Sequence, residues 1–190
     1  SKLLKSAEEL WIVNALDGFN HFSRNIPIYT SNLAFQSRGE VILSGVNYQA
    51  AKQLYLAQKG RGAKLNGLPI QVSGVDKLQG AYVFVELPET EAGFEKKMDK
   101  VKELIKACKQ VETFRIGALA KCLVASGSFD AYVDFSGTST VYGQAASRLI
   151  IEEAGGQVFN LAEPEGENIS WAATNRKLKE ELDEIINLNI

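Results

Sequence analysis

The chain has 190 residues, of which 45% are hydrophobic and 23% are charged, which is typical of one compact domain with a substantial apolar core. The formal net charge of −2 gives no global basic surplus, so we expect no nucleic-acid partner bound through its phosphates. No apolar run approaches the roughly 18 residues of a membrane-spanning helix, and no signal-peptide pattern opens the chain. We therefore expect a single domain over residues 1–190 in the cytoplasm or another reducing, soluble compartment.

The first half of the chain predicts an antiparallel meander. Leu10 to Val13 is a short apolar run followed by Asp-Gly, which is typical of a strand that ends in a turn. Further strands are predicted at 28–35, 40–46, 53–57 and 70–72, with turns at 37–39, 59–63 and 66–67 between them.

The second half predicts alternating strands and helices. Apolar residues recur at helical spacing from Phe94 to Cys108, with lysines and glutamates between them, so we expect an amphipathic helix. The other predicted helices are 117–126, 143–154 and 175–186, and the predicted strands are 81–87, 111–114 and 129–133. Cys108 and Cys122 lie in no metal-ligand spacing and are interpreted as small core residues. This order of elements indicates a layered α/β or α+β architecture.

The segment from Trp11 to Phe22 reads W-I-V-N-A-L-D-G-F-N-H-F. It resembles the signature W-x-x-D-P-x-D-G-T-x-N-F of the inositol monophosphatase family. Later segments resemble further family patterns, in the family's order. They are G-R-G-A with N-G at 60–67, V-S at 72–73, R-x-G at 115–117, A-x-G-x-x-D at 125–130, A-A at 145–146 and E-A-G-G at 153–156. The resemblance implies the layered α/β sandwich of that family, without the amino-terminal helices that precede the first signature there.

The resemblance also implies a chemistry. In the family, a water activated on Mg²⁺ hydrolyses a phosphate monoester, and carboxylates from three segments hold two or three metal ions. Mg²⁺ is a hard cation that takes oxygen ligands, so several negative charges are needed beside a phosphate dianion.

The chain departs from the family at those ligand positions. The aspartate that would bridge two metal ions is Asn14, and the threonine that would orient the attacking water is Phe19. Anchoring the second signature on 145–146 places Gly143 at its aspartate. Asp17 is the one remaining family ligand, and Glu8 and Glu9 precede Trp11 too closely to replace the family's G-E-E glutamate.

These departures predict a catalytically inactive protein that needs no cofactor and acts as a structural or protein-binding subunit, through protein partners or self-association. The alternative is a Mg²⁺-dependent phosphomonoesterase for an inositol, sugar or nucleotide phosphate, with a metal site rebuilt from Asp17, Asp134 and Glu8 or Glu9. Absent amino-terminal helices also predict an exposed apolar sheet face and a chain that is oligomeric or poorly soluble. A third possibility for the chain's role is that another chain supplies the missing amino-terminal segment.

Three smaller features have a structural and a functional interpretation. Asp17 and Gly18 either keep a phosphate-binding corner of backbone amides or form a turn or cap. His21, the single histidine, is interpreted as a partly exposed structural residue rather than a general base. The glycines at 60–62 are interpreted as turn residues rather than a phosphate cradle, since the Lys-Ser/Thr of a P-loop is absent.

Overall fold

A computed structural model describes residues 7–89, 93–161 and 170–187. For residues 141 and 142 it describes the backbone and not the side chains. The sequence also has glutamates at 163, 165 and 167, which predict an acidic, solvated surface near the carboxyl-terminal end, and these residues lie outside the described ranges. Within them the strands are β1 Glu9–Asp17, β2 Thr30–Ser37, β3 Glu40–Tyr48, β4 Gln53–Gln58, β5 Ala63–Leu65, β6 Leu68–Ile70, β7 Tyr82–Glu86, β8 Gln110–Glu112, β9 Ala131–Asp134, β10 Gln157–Asn160 and β11 Trp171–Thr174. The helices there are α1 Phe19–Phe22, α2 Phe94–Ala107, α3 Gly117–Ala125, α4 Val141–Glu153 and α5 Lys179–Ile186.

The first six strands form one sheet, in the order in which they occur along the chain, and every neighbouring pair is antiparallel. The predicted meander is therefore confirmed, although its last strand covers 68–70 rather than the predicted 70–72, and the three-residue strand β5 was not predicted. Alternate residues of β2 are buried, as the two-residue period of a half-buried strand requires. The buried face of this sheet includes Ala34, Val46 and Tyr55.

The second sheet has the strand order β10-β11-β9-β7-β8, in which β7 runs parallel to β8 and β9 while β10 and β11 are antiparallel. The predicted strands at 81–87, 111–114 and 129–133 correspond to β7, β8 and β9. The sequence interpretation missed β10 and β11, which are four residues long each. Such short runs carry little periodicity of their own.

The elements stack in four layers. One core cluster joins the six-stranded sheet to α3 and α4 and then to the near face of the second sheet, through residues such as Leu119, Ile150 and Tyr132. A second cluster joins the far face of the second sheet to α2 and α5, through residues such as Leu104 and Leu182. Cys122 is buried in the first cluster, while Cys108 is half-buried beside the second, and neither forms a disulfide. Both therefore act as the predicted core residues.

The last helix begins later than predicted. Its first residue is Lys179 rather than Asn175, because the Asn175 side chain is used elsewhere. Its amide nitrogen donates to Ser73 Oγ at 2.9 Å and to the Val75 carbonyl at 2.6 Å, while its oxygen accepts from the Leu178 amide at 3.2 Å. Asn175 thus ties the loop after β11 to the loop after β6. No helix within the described ranges is long and apolar enough to cross a membrane.

The outer face of the six-stranded sheet is apolar and uncovered within the described residues. Trp11 and Val13 of β1 are 56% and 64% exposed, and Leu33 of β2 is 42% exposed. Residues paired across neighbouring strands extend this surface in two rows. In the first row, Trp11 pairs with Phe35 and Phe35 pairs with Leu43. In the second row, Val13 pairs with Leu33, Leu33 with Gly45 and Gly45 with Leu56. We call these seven residues the outer apolar face. An exposed apolar sheet face was predicted and is confirmed.

Candidate functional site

A polar cavity of about 260 Å³ lies where β1 ends and where α3 and α4 begin. Its lining brings together Asn14, Asp17 and Gly143, which are far apart in the sequence. The remaining lining residues are Glu86, Glu89, Arg115, Gly117, Ala118, Lys121, Tyr132, Ser136, Thr138, Ser139, Thr140 and Gln144. Two of the three segments expected to carry the family's ligands therefore meet at one place.

Gly18 and Phe19 do not line this cavity. They border a neighbouring depression together with His21, and the Phe19 side chain is 64% exposed. Gly18 has φ +83°, and a Cβ there would lie 2.7 Å from the Ile28 carbonyl oxygen. Its role in the structure is thus to let the chain turn sharply between β1 and α1. His21 is partly buried, as predicted.

Asp17 caps a helix that begins 100 residues later in the chain. Its Oδ2 accepts a hydrogen bond of 3.1 Å from the Ala118 amide, in the first turn of α3. A carboxylate at this position satisfies one of the helix's unpaired amide groups and interacts favourably with the helix dipole. The structural interpretation of Asp17 as a cap is confirmed, and a phosphate-binding role for Asp17 and Gly18 remains a prediction.

Glu86 stands at the end of β7 with its carboxylate in the cavity wall. It is 6% exposed, and its Oε1 has no hydrogen-bond partner. Burial raises the pKa of Glu86 to about 7, and the negative charge of Asp134 adds to that rise, while Lys121 and Arg115 oppose it. An acidic group with an unpaired oxygen therefore faces the cavity.

Asp134 lies beside Glu86 on the neighbouring strand, where the two residues pair in register. It is fully buried and accepts hydrogen bonds from the Ser136 amide at 2.9 Å, Ser136 Oγ at 2.7 Å, the Tyr132 hydroxyl at 3.2 Å and Ser139 Oγ. Its oxygens are thus already engaged by the chain's own donors.

Lys121 is the charged residue that the cavity buries most deeply, at 0% exposure. Its ammonium donates to the Gln144 side-chain oxygen and lies 4.3 Å from the Trp171 ring centroid and 5.0 Å from that of Tyr132. Burial lowers the pKa of Lys121 to about 8, and the nearby carboxylates of Asp134, Asp17 and Glu86 oppose that fall. The Gln144 acceptor and the two aromatic rings favour the ammonium form of this side chain.

A second cation stands at the cavity's rim. Arg115 forms an ion pair with Glu89, whose carboxylate also accepts a 3.4 Å hydrogen bond from Thr138 Oγ1. Thr138 continues a run of hydroxyl residues that leads to Thr140, and the Thr140 side chain accepts from the Gly143 amide at 3.2 Å to cap α4. The rim is therefore held by contacts within the chain.

A model of the inositol monophosphatase family matches residues 2–188. The chain belongs to this family. It is 30% identical to a putative Nus factor SuhB of Neisseria meningitidis serogroup B over 97% of its own length and 71% of that protein's. It is also 30% identical to human inositol monophosphatase 2, over 85% of its own length and 57% of that protein's.

The crystal structure of the extragenic suppressor protein suhB from Bartonella henselae superposes with a TM-score of 0.88 and 23% identity, covering 97% of this chain and 71% of that one. This likeness confirms the layered sandwich predicted from the motifs. The chain spans between 57% and 71% of the length of these three proteins.

The oxygen donors of this cavity do not fit the metal centre that the family's chemistry requires. Mg²⁺ takes several carboxylate or carbonyl oxygens at short distance. Here Asn14 presents a neutral amide, Gly143 has no side chain, and one carboxylate oxygen of Asp17 accepts the hydrogen bond that caps α3. Across the parts of the chain that the structure describes, no three His, Cys, Asp or Glu residues are grouped so that they could hold a metal ion.

The rebuilt metal site considered from the sequence is wrong. Glu9 opens β1 and Asp17 closes it, so the extended strand separates the two residues by about 26 Å at roughly 3.3 Å per residue. Glu8 lies at the same distant end, 4.0 Å from Arg38. Neither Glu8 nor Glu9 can therefore bind the same metal ion as Asp17. Asp134 is not among the residues that line the cavity.

The glycine turn at 60–62 holds a carboxylate of the chain itself. Glu153, from the end of α4, accepts hydrogen bonds of 2.8 Å from the Gly60 and Gly62 amides. The family's G-x-G-A and E-A-G-G patterns thus form one contact between a β-turn and a helix end, and the structural interpretation of the glycines is confirmed.

Sequence reasoning missed Lys121 and Glu86. A signal was available for Lys121, because it is the one charged residue in the otherwise apolar segment G-A-L-A-K-C-L-V-A of α3. A lysine at the centre of an apolar helix is expected to be paired or functional. Glu86 offered no such signal, since it stands at the end of a strand, where exposed acidic residues are common.

Proposed function

We propose that the chain is a non-catalytic member of the inositol monophosphatase family that acts as a structural or protein-binding subunit. The observation that carries the proposal is the cavity itself. The positions that resemble the family's metal ligands converge there as Asn14, Asp17 and Gly143, and the ammonium of Lys121 is buried in the same cavity, where it donates to Gln144. Such a site does not collect divalent cations beside a phosphate.

The relatives' names are consistent with either kind of role. The Neisseria relative is called a putative Nus factor and the human relative an inositol monophosphatase. The second candidate function is therefore a phosphomonoesterase, and the specific observation that favours it is the unpaired Glu86 Oε1 facing the same cavity as Asp17.

Titration of Mg²⁺ and Mn²⁺ into the purified chain, with phosphate release from a panel of monoesters followed in parallel, separates the two candidates. We expect no heat of metal binding at millimolar concentration and no phosphate release, because the cavity lacks the required oxygens. Metal binding with turnover that Asp17→Asn abolishes would contradict the proposal and establish the phosphatase.

We propose further that the contact surface is the outer apolar face and that its occupant is a second copy of this chain. The outer apolar face is a continuous apolar surface, and charged side chains lie only at its margins. Glu9 begins β1 at one edge of the face. At the opposite edge, Arg61 lies in the turn between β4 and β5, and Lys64 lies on β5. All three side chains are exposed.

The charges at the two margins of this face are complementary between two copies of the chain. Glu9 and Arg61 lie at the same end of the strands, since Glu9 precedes Trp11 on β1 and Arg61 follows Gln58 on β4, which pairs with Leu43. A two-fold axis parallel to the strands therefore brings Glu9 of one copy over Arg61 of the other. A symmetric contact of this kind covers the apolar floor of both copies and pairs opposite charges at both rims.

A further inference from the structure

The ammonium of Lys121 lies where a cation is needed. Asp17 and Glu86 line the same cavity as Lys121, Asp134 pairs with Glu86 on the neighbouring strand, and each of the three carboxylates acts electrostatically on Lys121. Buried carboxylates without a neutralising charge are costly. In a metal-dependent phosphatase that neutralising charge comes from metal ions.

The geometry places Lys121 beside the acidic end of β7 and next to the residue that follows the altered ligand position Gly143. A Cβ added at Gly117, in the cavity wall, would lie 3.3 Å from Lys121 Nζ and 3.9 Å from Glu86 Oε1. On the other side Nζ contacts Gln144, which directly follows Gly143 on α4. The ammonium is thus enclosed by β7, α3 and α4 rather than extended toward solvent.

We propose that the Lys121 ammonium is the resident cation of this cavity and that its charge excludes divalent metal ions from it. The inference rests on the proposed non-catalytic function and goes beyond it, because it names the residue that keeps metals out. A buried ammonium repels a second cation strongly, since little water lies between the two charges. Restoring the lost ligands alone is therefore not enough to restore metal binding.

The test restores the ligands with and without the lysine. Asn14→Asp and Gly143→Asp rebuild two carboxylates at the cavity wall. A Cβ at Gly143 meets Thr140 Oγ1 at 3.4 Å, an ordinary contact, and an aspartate in the first turn of a helix is favourable. The double variant is compared with a triple variant that also carries Lys121→Met, which removes the charge and keeps a long apolar stem.

Mn²⁺ binding is measured by calorimetry and by the electron paramagnetic resonance signal of free Mn²⁺, with circular dichroism to confirm folding. We expect no binding at millimolar Mn²⁺ for the double variant and at least tenfold tighter binding for the triple variant. If the triple variant fails to fold, Lys121→Gln in the same background replaces it, since an amide keeps a polar contact to Gln144.

A folded charge-free variant that binds Mn²⁺ no more tightly than the double variant overturns the inference. This outcome leaves the proposed function intact, because that proposal concerns the unaltered chain. Conversely, Mn²⁺ binding and phosphate release by the unaltered chain overturn the proposed function, whatever the variants do.

Discussion

At the scale of single residues, the cavity contains an acid and a base whose pKa values are both moved toward neutrality. Burial raises the pKa of Glu86 to about 7 and lowers that of Lys121 to about 8. The physical cause is the same for both, since burial disfavours whichever form carries the charge. Each group therefore makes folding depend on pH, in a different window.

Glu86→Gln is expected to flatten the pH dependence of stability below neutral pH. The pKa of Glu86 is higher in the folded chain, about 7, than its ordinary value of 4.5. The folded state thus binds more protons between these values, and stability falls as pH rises through this window. Glutamine stays neutral, so the variant should be more stable than the wild type above pH 7, by on the order of 3 kcal/mol, with no gain below pH 4.5.

Urea unfolding at a series of pH values measures this effect. The matched control is Glu103→Gln on α2, where the side chain is 52% exposed and lies 3.3 Å from Lys100; because an exposed ion pair contributes little, stability should change far less than in Glu86→Gln. Identical profiles for Glu86→Gln and the wild type would show that burial of this carboxylate costs nothing. The Lys121 contribution does not interfere, because it changes only above pH 8.

At the scale of secondary-structure elements, tight connections decide where the cavity's side chains point. The corner from β1 into α1 turns at Gly18, and the Glu153 carboxylate fixes the turn after β4 to the end of α4. Both connections are short and strongly constrained, so they fix the end of β1, and with it Asp17, relative to the helices. The cavity is therefore built by turns as much as by strands.

Gly18→Ala is expected to destabilise the fold more than Gly39→Ala. Both glycines have nearly the same positive φ, +83° and +82°, but a Cβ at Gly18 meets the Ile28 carbonyl at 2.7 Å, whereas a Cβ at Gly39 meets nothing within 4 Å. The left-handed conformation costs roughly 1–2 kcal/mol at either position, and the overlap at Gly18 adds about 1–3 kcal/mol. Chemical denaturation of both variants checks this, and equal losses would mean that the Gly18 corner relaxes freely.

At the scale of the whole molecule, the dominant feature is a sheet with one face packed and the other uncovered within the residues that the structure describes. The packed face meets α3 and α4, while the outer apolar face has large side chains exposed from β1 to β4. Apolar surface that is contiguous over several strands is typical of an interface. This face is the contact surface that we propose.

Leu33→Lys is expected to convert a dimer of the chain into a folded monomer, because it places a charge at the centre of the outer apolar face. Sedimentation velocity over a range of concentrations should show self-association weakened at least tenfold. Ile105→Lys on α2 is the control, since that side chain is 58% exposed on the opposite outer layer and should not change the association.

A charge exchange tests the arrangement of the two copies. Glu9→Lys should weaken association by about tenfold, because the two-fold axis repeats an exposed ion pair that contributes about threefold each time, and adding Arg61→Glu should restore it. A wild-type chain that remains monomeric at high concentration would contradict self-association through this face, and a dimer unaffected by Leu33→Lys would place the contact elsewhere.

The sequence by itself determined the family, the antiparallel meander, and the later alternation of strands and helices. These follow from local signals: periodicity, turn residues and motifs of adjacent positions. Only the tertiary structure showed that Asp17 caps α3, that Glu8 and Glu9 stand far from it, and that Lys121 and Glu86 face one cavity. Such contacts join residues from distant parts of the chain, and burial and charge at a site depend on neighbours that no local pattern specifies.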